Sequence, residues 1–301
     1  MNKLIGAILL TTTAILWGVS FLFTKAAVVN VTPSIIAILR FAIAFVILLP
    51  FKIKSGKKLE KKEKFYSMIA GACGVTLYFL FENNALKITS ASEVSIIVST
   101  APILTLLFYD IKSKKFDASE YIGGLFALIG IGFVIFNGFF SITSSFLGNT
   151  LALLSALSWV FYTFYFERIH NKFIAANFEL IKWGTIFLIP FCLFDIIRGE
   201  KININLEVVW SILFLGVLCS ALGYIMWGNG IKLFGGKTAN LWIYTIPIFT
   251  FIAEIFVFKT KPGIFFLIGC IFVFAGIVIV FKRESVKRKN RIELEKDIKS
   301  P

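Results

Sequence analysis

The sequence predicts an all-α integral membrane protein with ten transmembrane helices in two inverted five-helix repeats. Bulk composition, ten long apolar runs and an internal repeat support this fold class. Of the 301 residues, 58% are hydrophobic and only 16% are charged, and the mean hydropathy of +0.87 is far above that of soluble domains. Lipid must cover many of the 35 Phe residues, because a water-soluble globule of this size cannot bury them all.

The apolar runs are long enough to be membrane helices. A helix needs about 20 largely apolar residues to cross the hydrocarbon core, and these runs are too long and too uniformly apolar for barrel strands. The predicted spans are 4–23, 34–51, 65–86, 93–110, 120–139, 148–167, 178–197, 207–228, 238–258 and 263–281. The first run exceeds the apolar core of a signal peptide and no Ala-x-Ala site follows it, so it is predicted to be a mature helix.

The distribution of positive charge predicts the orientation. Cytoplasmic loops retain Lys and Arg, and most of the 31 such residues lie on the side of the N-terminus, densest between 52 and 64. Both termini are therefore predicted to be cytoplasmic, with a basic cytoplasmic tail at 283–301. The basic residues lie in short loops and in this tail rather than on one amphipathic face, so the net charge of +14 does not indicate nucleic-acid binding.

An internal repeat relates the two halves of the chain. The aligned pairs are Trp17 with Trp159, Arg40 with Lys182, Pro102 with Pro247, and Gly124 with Gly269. The alignment predicts a first repeat at 1–140 and a second at 146–282, each with five spans. An odd number of spans gives the two copies opposite orientations in the membrane, as in many secondary transporters.

Ionisable groups are costly in lipid, so four such residues within or beside the spans are candidates for charge recognition or ion coupling: Arg40, Glu93, Lys182 and Glu254. For Arg40, an ion pair with Glu82 or Glu93 and a clamp for a substrate carboxylate both remain open. Lys182 has Glu179 one turn away and is predicted to extend toward the interface. Glu254 is a candidate carrier of a coupling proton.

Two further acidic residues, Asp110 and Glu167, lie at the ends of predicted spans and are interpreted as markers of the membrane interface. Pro102 and Pro247 are hinge candidates, since a proline within a helix frees a carbonyl group and permits a kink. A static bend is the alternative for both prolines.

Aromatic and small residues indicate different roles for different spans. Trp17 and Trp159 lie deep in their spans and are predicted to form an aromatic floor for an apolar or aromatic substrate, whereas Trp227 and Trp242 are also consistent with interfacial anchors. Glycines in spans five and ten predict close packing in a peripheral position. They are Gly123, Gly124, Gly130, Gly132, Gly269 and Gly276.

Catalytic, metal and cofactor sites are not predicted. The four Cys residues occur singly in apolar segments, without the spacing of a zinc site or of a disulfide framework. A membrane enzyme is disfavoured because the single His and the scattered acids form no catalytic cluster. Gly236-Lys237-Thr238 lacks the upstream glycine of a nucleotide-binding loop.

Several short motifs resemble those of one transporter family. They are Leu16-Trp-Gly-Val-Ser-Phe21, Leu39-Arg-Phe41, Phe81-Glu-Asn-Asn-Ala-Leu-Lys87, Ala91-Ser-Glu-Val94, Trp227-Gly-Asn229, Gly235-Gly-Lys-Thr-Ala239 and Ile246-Pro-Ile-Phe249. Together they resemble the EamA family of the drug/metabolite transporter superfamily over the whole chain before the tail. The resemblance implies a central cavity lined by spans one, three, four, six, eight and nine. The candidate cavity residues are Trp17, Ser20, Tyr78, Glu82, Ser95, Ser99, Trp159, Tyr162, Tyr224, Trp227 and Tyr244.

The predicted function is secondary transport by alternating access around this cavity. The resemblance implies export of small metabolites such as amino acids across a bacterial plasma or inner membrane, with a small-molecule substrate and lipid as partners and no cofactor or nucleic acid. A membrane scaffold or receptor, and a lipid-handling membrane protein without solute transport, are the alternatives. Whether the chain is a monomer or a homodimer is left open.

Overall fold

The computed structural model describes residues 3–114, 116–136, 145–169, 172–200, 202–259 and 263–299, and the side chains of all of these except 92, 258 and 284–299. Within them, ten helices are long and apolar enough to cross a membrane. They are α1 (Lys3–Val28), α2 (Pro33–Ser55), α3 (Lys61–Ile88), α4 (Glu93–Ser113), α5 (Ala118–Ile135), α6 (Phe146–Phe166), α7 (Phe173–Ile197), α8 (Leu206–Phe234), α9 (Gly236–Val257) and α10 (Ile264–Arg283).

The predicted fold class of ten helices in two five-helix repeats is confirmed. Helices α3 and α7 begin several residues earlier than predicted, and the helix of α10 continues through the basic tail to Lys299. Two parts of the predictions lie outside the described residues: the end of the predicted fifth span, 137–139, and the last two residues of the tail. Because the number of helices is even, both termini lie at one end of the bundle, here called the terminal end. The other end is called the far end.

Local sequence explains where several helices begin and end. The side chains of Ser90, Ser145 and Asn205 accept hydrogen bonds from the first turns of α4, α6 and α8, which satisfies amide groups that have no partner within the helix. Pro33 occupies the first turn of α2, where its missing N–H is not needed. Gly235 separates α8 from α9 with a φ of +83°, a conformation that favours glycine.

Helices α3 and α8 each contain a π-helical segment at related positions, Ala72–Leu77 and Phe214–Leu222. Carbonyl groups in these wider turns accept side-chain hydrogen bonds from the first helix of the other repeat. Ser158 of α6 donates to Cys73 O (2.7 Å), and the Trp17 indole of α1 donates to Cys219 O (3.0 Å). π-Segments often occur at functional sites because they redirect the side chains that follow.

Helices α4 and α9 are interrupted at related positions, just before the aligned prolines. α-Helical structure resumes at Ala101 in α4 and, after a 3-10 segment at Asn240–Thr245, at Ile246 in α9, so each proline lies in the first turn of a new α-helical segment. The breaks are satisfied in the same way: Thr100 Oγ1 donates to Ile97 O and Thr245 Oγ1 donates to Trp242 O, both at 2.7 Å. The prolines therefore start helices rather than kink continuous ones, because their missing N–H is not needed there.

Helices α5 and α10 pack against each other at the edge of the bundle. A Cβ atom added to Gly130 would lie 2.6 Å from Gly269 O, so the two backbones approach as closely as glycine allows. The predicted close packing of these spans is thus observed. The remaining helices interlock across the repeats, with α1 against α8 and α9, and α6 against α3 and α4. This arrangement surrounds a central site with helices from both halves.

Candidate functional site

A small cavity lies where α1, α2, α3, α6, α8 and α9 converge. Its lining residues are Trp17, Ser20, Phe21, Arg40, Tyr78, Phe79, Glu82, Trp159, Tyr224 and Ile246. The cavity volume is about 20 Å³, which is room for about one water molecule. The structure therefore represents a contracted state, in which the side chains that line the cavity fill most of the space.

Aromatic rings from both repeats form one side of the cavity. The repeat-related indoles of Trp17 and Trp159 meet edge to face, with ring centroids 5.2 Å apart and an interplanar angle of 88°. Trp17 also contacts Trp227 at 4.9 Å and Tyr224 at 6.0 Å. Edge-to-face contacts are favourable for aromatic pairs beyond the area that they bury. Movement of α1 against α6 would open this surface to an apolar ligand.

Arg40 contributes the cation of the cavity. The residue is 1% exposed, its Nε donates to Ser220 Oγ at 2.8 Å, and its guanidinium group lies 4.3 Å from the centre of the Phe79 ring. Its Nη1 atom is buried without a hydrogen-bond partner among the described residues. A buried cation with unused donors is costly, so the site is prepared for an additional acceptor.

Glu82 contributes the carboxylate of the same cavity. It is 5% exposed, and its Oε1 accepts a hydrogen bond from the Tyr78 hydroxyl at 3.0 Å. In the described part of the chain, no salt bridge joins Arg40 to Glu82 or to Glu93. The ion-pair alternative for Arg40 is therefore not what the structure shows. One cation and one carboxylate face a single small space without direct contact.

The other charge candidates lie away from this cavity. Glu93 is in the first turn of α4 and accepts a hydrogen bond from the Thr89 hydroxyl. Lys182 pairs with Glu179 in a cleft of about 280 Å³ on the side of the bundle. This lateral cleft is lined by Lys64, Phe65, Met68, Glu179, Lys182 and Trp183. Glu254 is partly buried on the second segment of α9.

The predicted cavity residues fall into three groups. Those that line the cavity are Trp17, Ser20, Tyr78, Glu82, Trp159 and Tyr224. Tyr162 and Trp227 are buried directly behind Trp159, with ring centroids 4.4 and 5.8 Å from it. Ser95, Ser99 and Tyr244 lie on α4 and α9 outside the lining. Arg40 brings α2 into the cavity, whereas the resemblance had implied α4.

A buried amide network beneath the aromatic rings was not anticipated from the sequence. Asn240 Oδ1 accepts a hydrogen bond from the Trp159 indole at 3.1 Å, and its Nδ2 donates to Thr105 at 3.0 Å and to Thr163 at 3.3 Å. All four residues are buried. The available signal was a single amide within an apolar span, which does not reveal its partners.

An ionic cluster lies at the terminal end. Lys237 at the start of α9 pairs with Asp110 at 3.0 Å and with Glu120 at 2.7 Å, and the side chains of both acids are buried. Glu167 accepts hydrogen bonds from the Gly236 amide at 2.9 Å and from the Tyr109 hydroxyl. Asp110 and Glu167 therefore do more than mark the interface, because their contacts join α4, α5, α6 and α9 at this end of the bundle.

Hydrogen bonds join helices and loops at the far end. Lys25 Nζ donates to Leu86 O and to Thr89 O, at 2.5 and 2.7 Å, so α1 is tied to the last turn of α3. The loop before α2 also contacts the segment before α8, where the Asn203 amide donates to Asn30 O at 3.0 Å. The described residues contain no group of three His, Cys, Asp or Glu side chains placed to hold a metal ion.

Comparison with known proteins identifies relatives along the chain. The EamA-like transporter family matches residues 4–136 and 146–282. An uncharacterized transporter of Archaeoglobus fulgidus is 28% identical over 287 residues, covering 92% of this chain and 97% of that protein. The biotin transporter of Escherichia coli K12 is 27% identical over 228 residues, covering 74% of this chain and 75% of that protein.

One solved crystal structure has the same fold. It superposes with a TM-score of 0.74 at 16% sequence identity and covers 93% of this chain and 96% of that chain.

Proposed function

This chain belongs to the EamA-like transporter family, and we propose that it exports small metabolites, such as amino acids, from a bacterial cell by alternating access around the central cavity. Its family and its named relatives make it a multi-pass membrane transporter rather than an enzyme. The bacterial plasma membrane, the export direction and the substrate class are parts of the proposal. The outward gradient of the solute is the proposed energy source.

The convergence of six helices from both repeats on one contracted cavity is the observation that carries the proposal. Contacts at both ends keep the cavity closed: the Lys237 cluster at the terminal end and Lys25 at the far end. Breaking one set while keeping the other would open the cavity to one side of the membrane. Inverted repeats supply two related half-gates for such an exchange.

Interrupted helices and π-segments next to the cavity support this mechanism. Backbone that is not regularly hydrogen bonded is tolerated within a membrane only where protein or cavity water satisfies it. The paired breaks in α4 and α9 therefore lie where the two halves can move, and we assign Pro102 and Pro247 as hinges on this basis.

Transport can be tested in proteoliposomes containing the full-length protein. The panel is labelled amino acids, nucleosides and biotin, the last included because some relatives are named biotin transporters. We expect saturable flux of at least one solute, reduced by about tenfold or more in Trp17→Ala because the aromatic surface is lost. Trp183→Ala is the matched control, since Trp183 lies in the lateral cleft, and it should retain flux.

A second variant separates loss of function from loss of fold. Trp17→Phe keeps a ring at the cavity and should transport at an intermediate rate, while its elution profile in detergent stays that of the wild type. Equal flux in the wild type and Trp17→Ala would contradict the assignment of the cavity. Absence of flux for every solute would favour a scaffold, receptor or lipid-handling role.

A further inference from the structure

We propose that the cavity selects solutes with one carboxylate and an apolar body, that Arg40 binds the carboxylate, and that Glu82 must take up a proton for the solute to bind. The inference rests on the proposed transport function and adds the substrate class and the coupled ion. The two charged groups and the unequal contributions of the two repeats carry it.

Arg40 has unused capacity for an acceptor. A guanidinium group carries five N–H donors, of which the Nε donor is taken by Ser220. The Nη1 atom has no partner among the described residues although the residue is 1% exposed, and the Phe79 ring covers one face of the group. The planar fork of donors fits a carboxylate, and desolvation would strengthen that hydrogen bond.

The second repeat contributes no matching charge. The repeat mate of Arg40 is Lys182, which pairs with Glu179 in the lateral cleft. In the register that aligns Pro102 with Pro247, the position that corresponds to Glu82 is Trp227, which is completely buried beside Trp17. The cavity therefore has one charged side, from α2 and α3, and one aromatic side, from α1, α6 and α8. An oriented ligand with one anionic group and an apolar body matches both sides.

Glu82 and the substrate carboxylate would compete for the same cation. Titratable or charged groups that interact with Glu82 are Tyr78 on its own helix, Arg40 on α2, and Cys219 and Tyr224 on α8. The lining residues of α1, α6 and α9 are Trp17, Ser20, Phe21, Trp159 and Ile246, and none of them is titratable. Arg40 is thus the single cation among the lining residues.

Charge balance then couples the solute to a proton. A carboxylate solute without an ammonium group would place two carboxylates beside one guanidinium group in an apolar space, which would leave one negative charge uncompensated and is costly. With a proton on Glu82, Arg40 and the substrate carboxylate form a neutral pair. After the solute leaves, Glu82 releases its proton and its carboxylate becomes the counter-ion of Arg40. One proton therefore binds and leaves with each anion.

Calorimetric titration of the purified full-length protein tests the substrate class apart from transport. The probes are phenylacetate and octanoate, each with its primary amide as a neutral isostere. We expect the carboxylates to bind about tenfold or more tightly than the amides, and Arg40→Gln to abolish this preference while Arg40→Lys retains part of it. Lys182→Gln, the change at the repeat mate, should leave the preference intact.

The pH dependence of the same titration tests the role of Glu82. The probes stay ionised between about pH 6 and pH 8, because carboxylic acids have pKa values near 4. As the pH rises, Glu82 ionises and competes with the probe carboxylate for Arg40. The affinity of the wild type for the carboxylates should therefore fall as the pH rises, with a limiting slope of about tenfold per pH unit. Glu82→Gln should bind carboxylates with little pH dependence, at the affinity of the acidic form. Glu179→Gln should behave as wild type.

Several results would overturn the inference. These are binding of the amides but not of the carboxylates, binding of no carboxylate, an unchanged preference in Arg40→Gln, and an unchanged pH slope in Glu82→Gln. A protein that does not transport would give a different result from one that does not select carboxylates. Carboxylates would then bind with the expected dependence on Arg40 and pH, yet no solute would cross the proteoliposome membrane.

Discussion

At the scale of single residues, side chains with one polar atom in an apolar span hold the site together. The Trp17 indole donates a hydrogen bond across the repeats to a π-segment carbonyl, and the Trp159 indole donates one to Asn240 within the second repeat. A buried donor that loses its acceptor destabilises the fold more than an exposed one, because water cannot replace the partner. The orientation of both rings at the cavity therefore depends on their polar partners.

Replacing Asn240 should show this dependence. Asn240→Leu removes the partner of Trp159, Thr105 and Thr163, and should lower the free energy of unfolding by about 2–4 kcal/mol. The matched control is Asn229→Leu, since Asn229 is half-buried and donates only to a carbonyl of its own helix; its cost should stay below about 1 kcal/mol. Thermal unfolding in detergent measures both. An equal loss of thermal stability in Asn240→Leu and Asn229→Leu would contradict the proposed role of the Asn240 network.

The sequence predicted some residues of the site better than others. Trp17 and Trp159 could be paired in advance because the repeat aligns them. The importance of Arg40 followed from its charge in an apolar span, but its partner Ser220 did not, since that contact depends on the packing of α2 against α8. The contacts of Asp110 and Glu167 with neighbouring helices were missed, because a position at a helix end does not tell whether another helix covers it.

At the scale of elements, the repeat produces matched irregularities. The π-segments of α3 and α8 and the breaks of α4 and α9 recur at equivalent positions, with equivalent threonine hydrogen bonds. Spans and aligned prolines could be predicted from hydrophobic length and self-similarity. The form of the π-segments could not, because it depends on which side chains of the other repeat reach the freed carbonyl groups.

The contact of α5 with α10 gives a prediction at this scale. In Gly130→Ala the new Cβ would lie 2.6 Å from two backbone atoms of α10, so the helices must separate, at a cost of about 1–3 kcal/mol. Gly132→Ala is the control, because no atom lies within 4 Å of its added Cβ, and it should be neutral or slightly stabilising. Thermal unfolding compares them. A stable Gly130→Ala protein would show that α10 packs elsewhere.

At the scale of the whole molecule, the proposed mechanism has two gates, one at each end of the bundle, that give access to the same cavity. The number of helices, the repeats and the family could be anticipated, because apolar length and short motifs are properties of the linear sequence. The closed state of the cavity and the entry of α2 into its wall could not, because both depend on how six helices pack together. Of the two proposed gates, the Lys237 cluster contains two buried carboxylates, so a substitution there is expected to shift the molecule toward opening at that end.

Sided accessibility of the cavity tests alternating access most directly. Ser20→Cys, in a variant lacking the four native cysteines and retaining flux, places one thiol in the cavity wall, and a membrane-impermeant thiol reagent is applied to either side of oriented vesicles. Alternating access predicts labelling from both sides. Adding Lys237→Met should increase labelling from the terminal side, because Asp110 and Glu120 lose their shared cation. Labelling confined to one side, unchanged by Lys237→Met, would contradict alternating access.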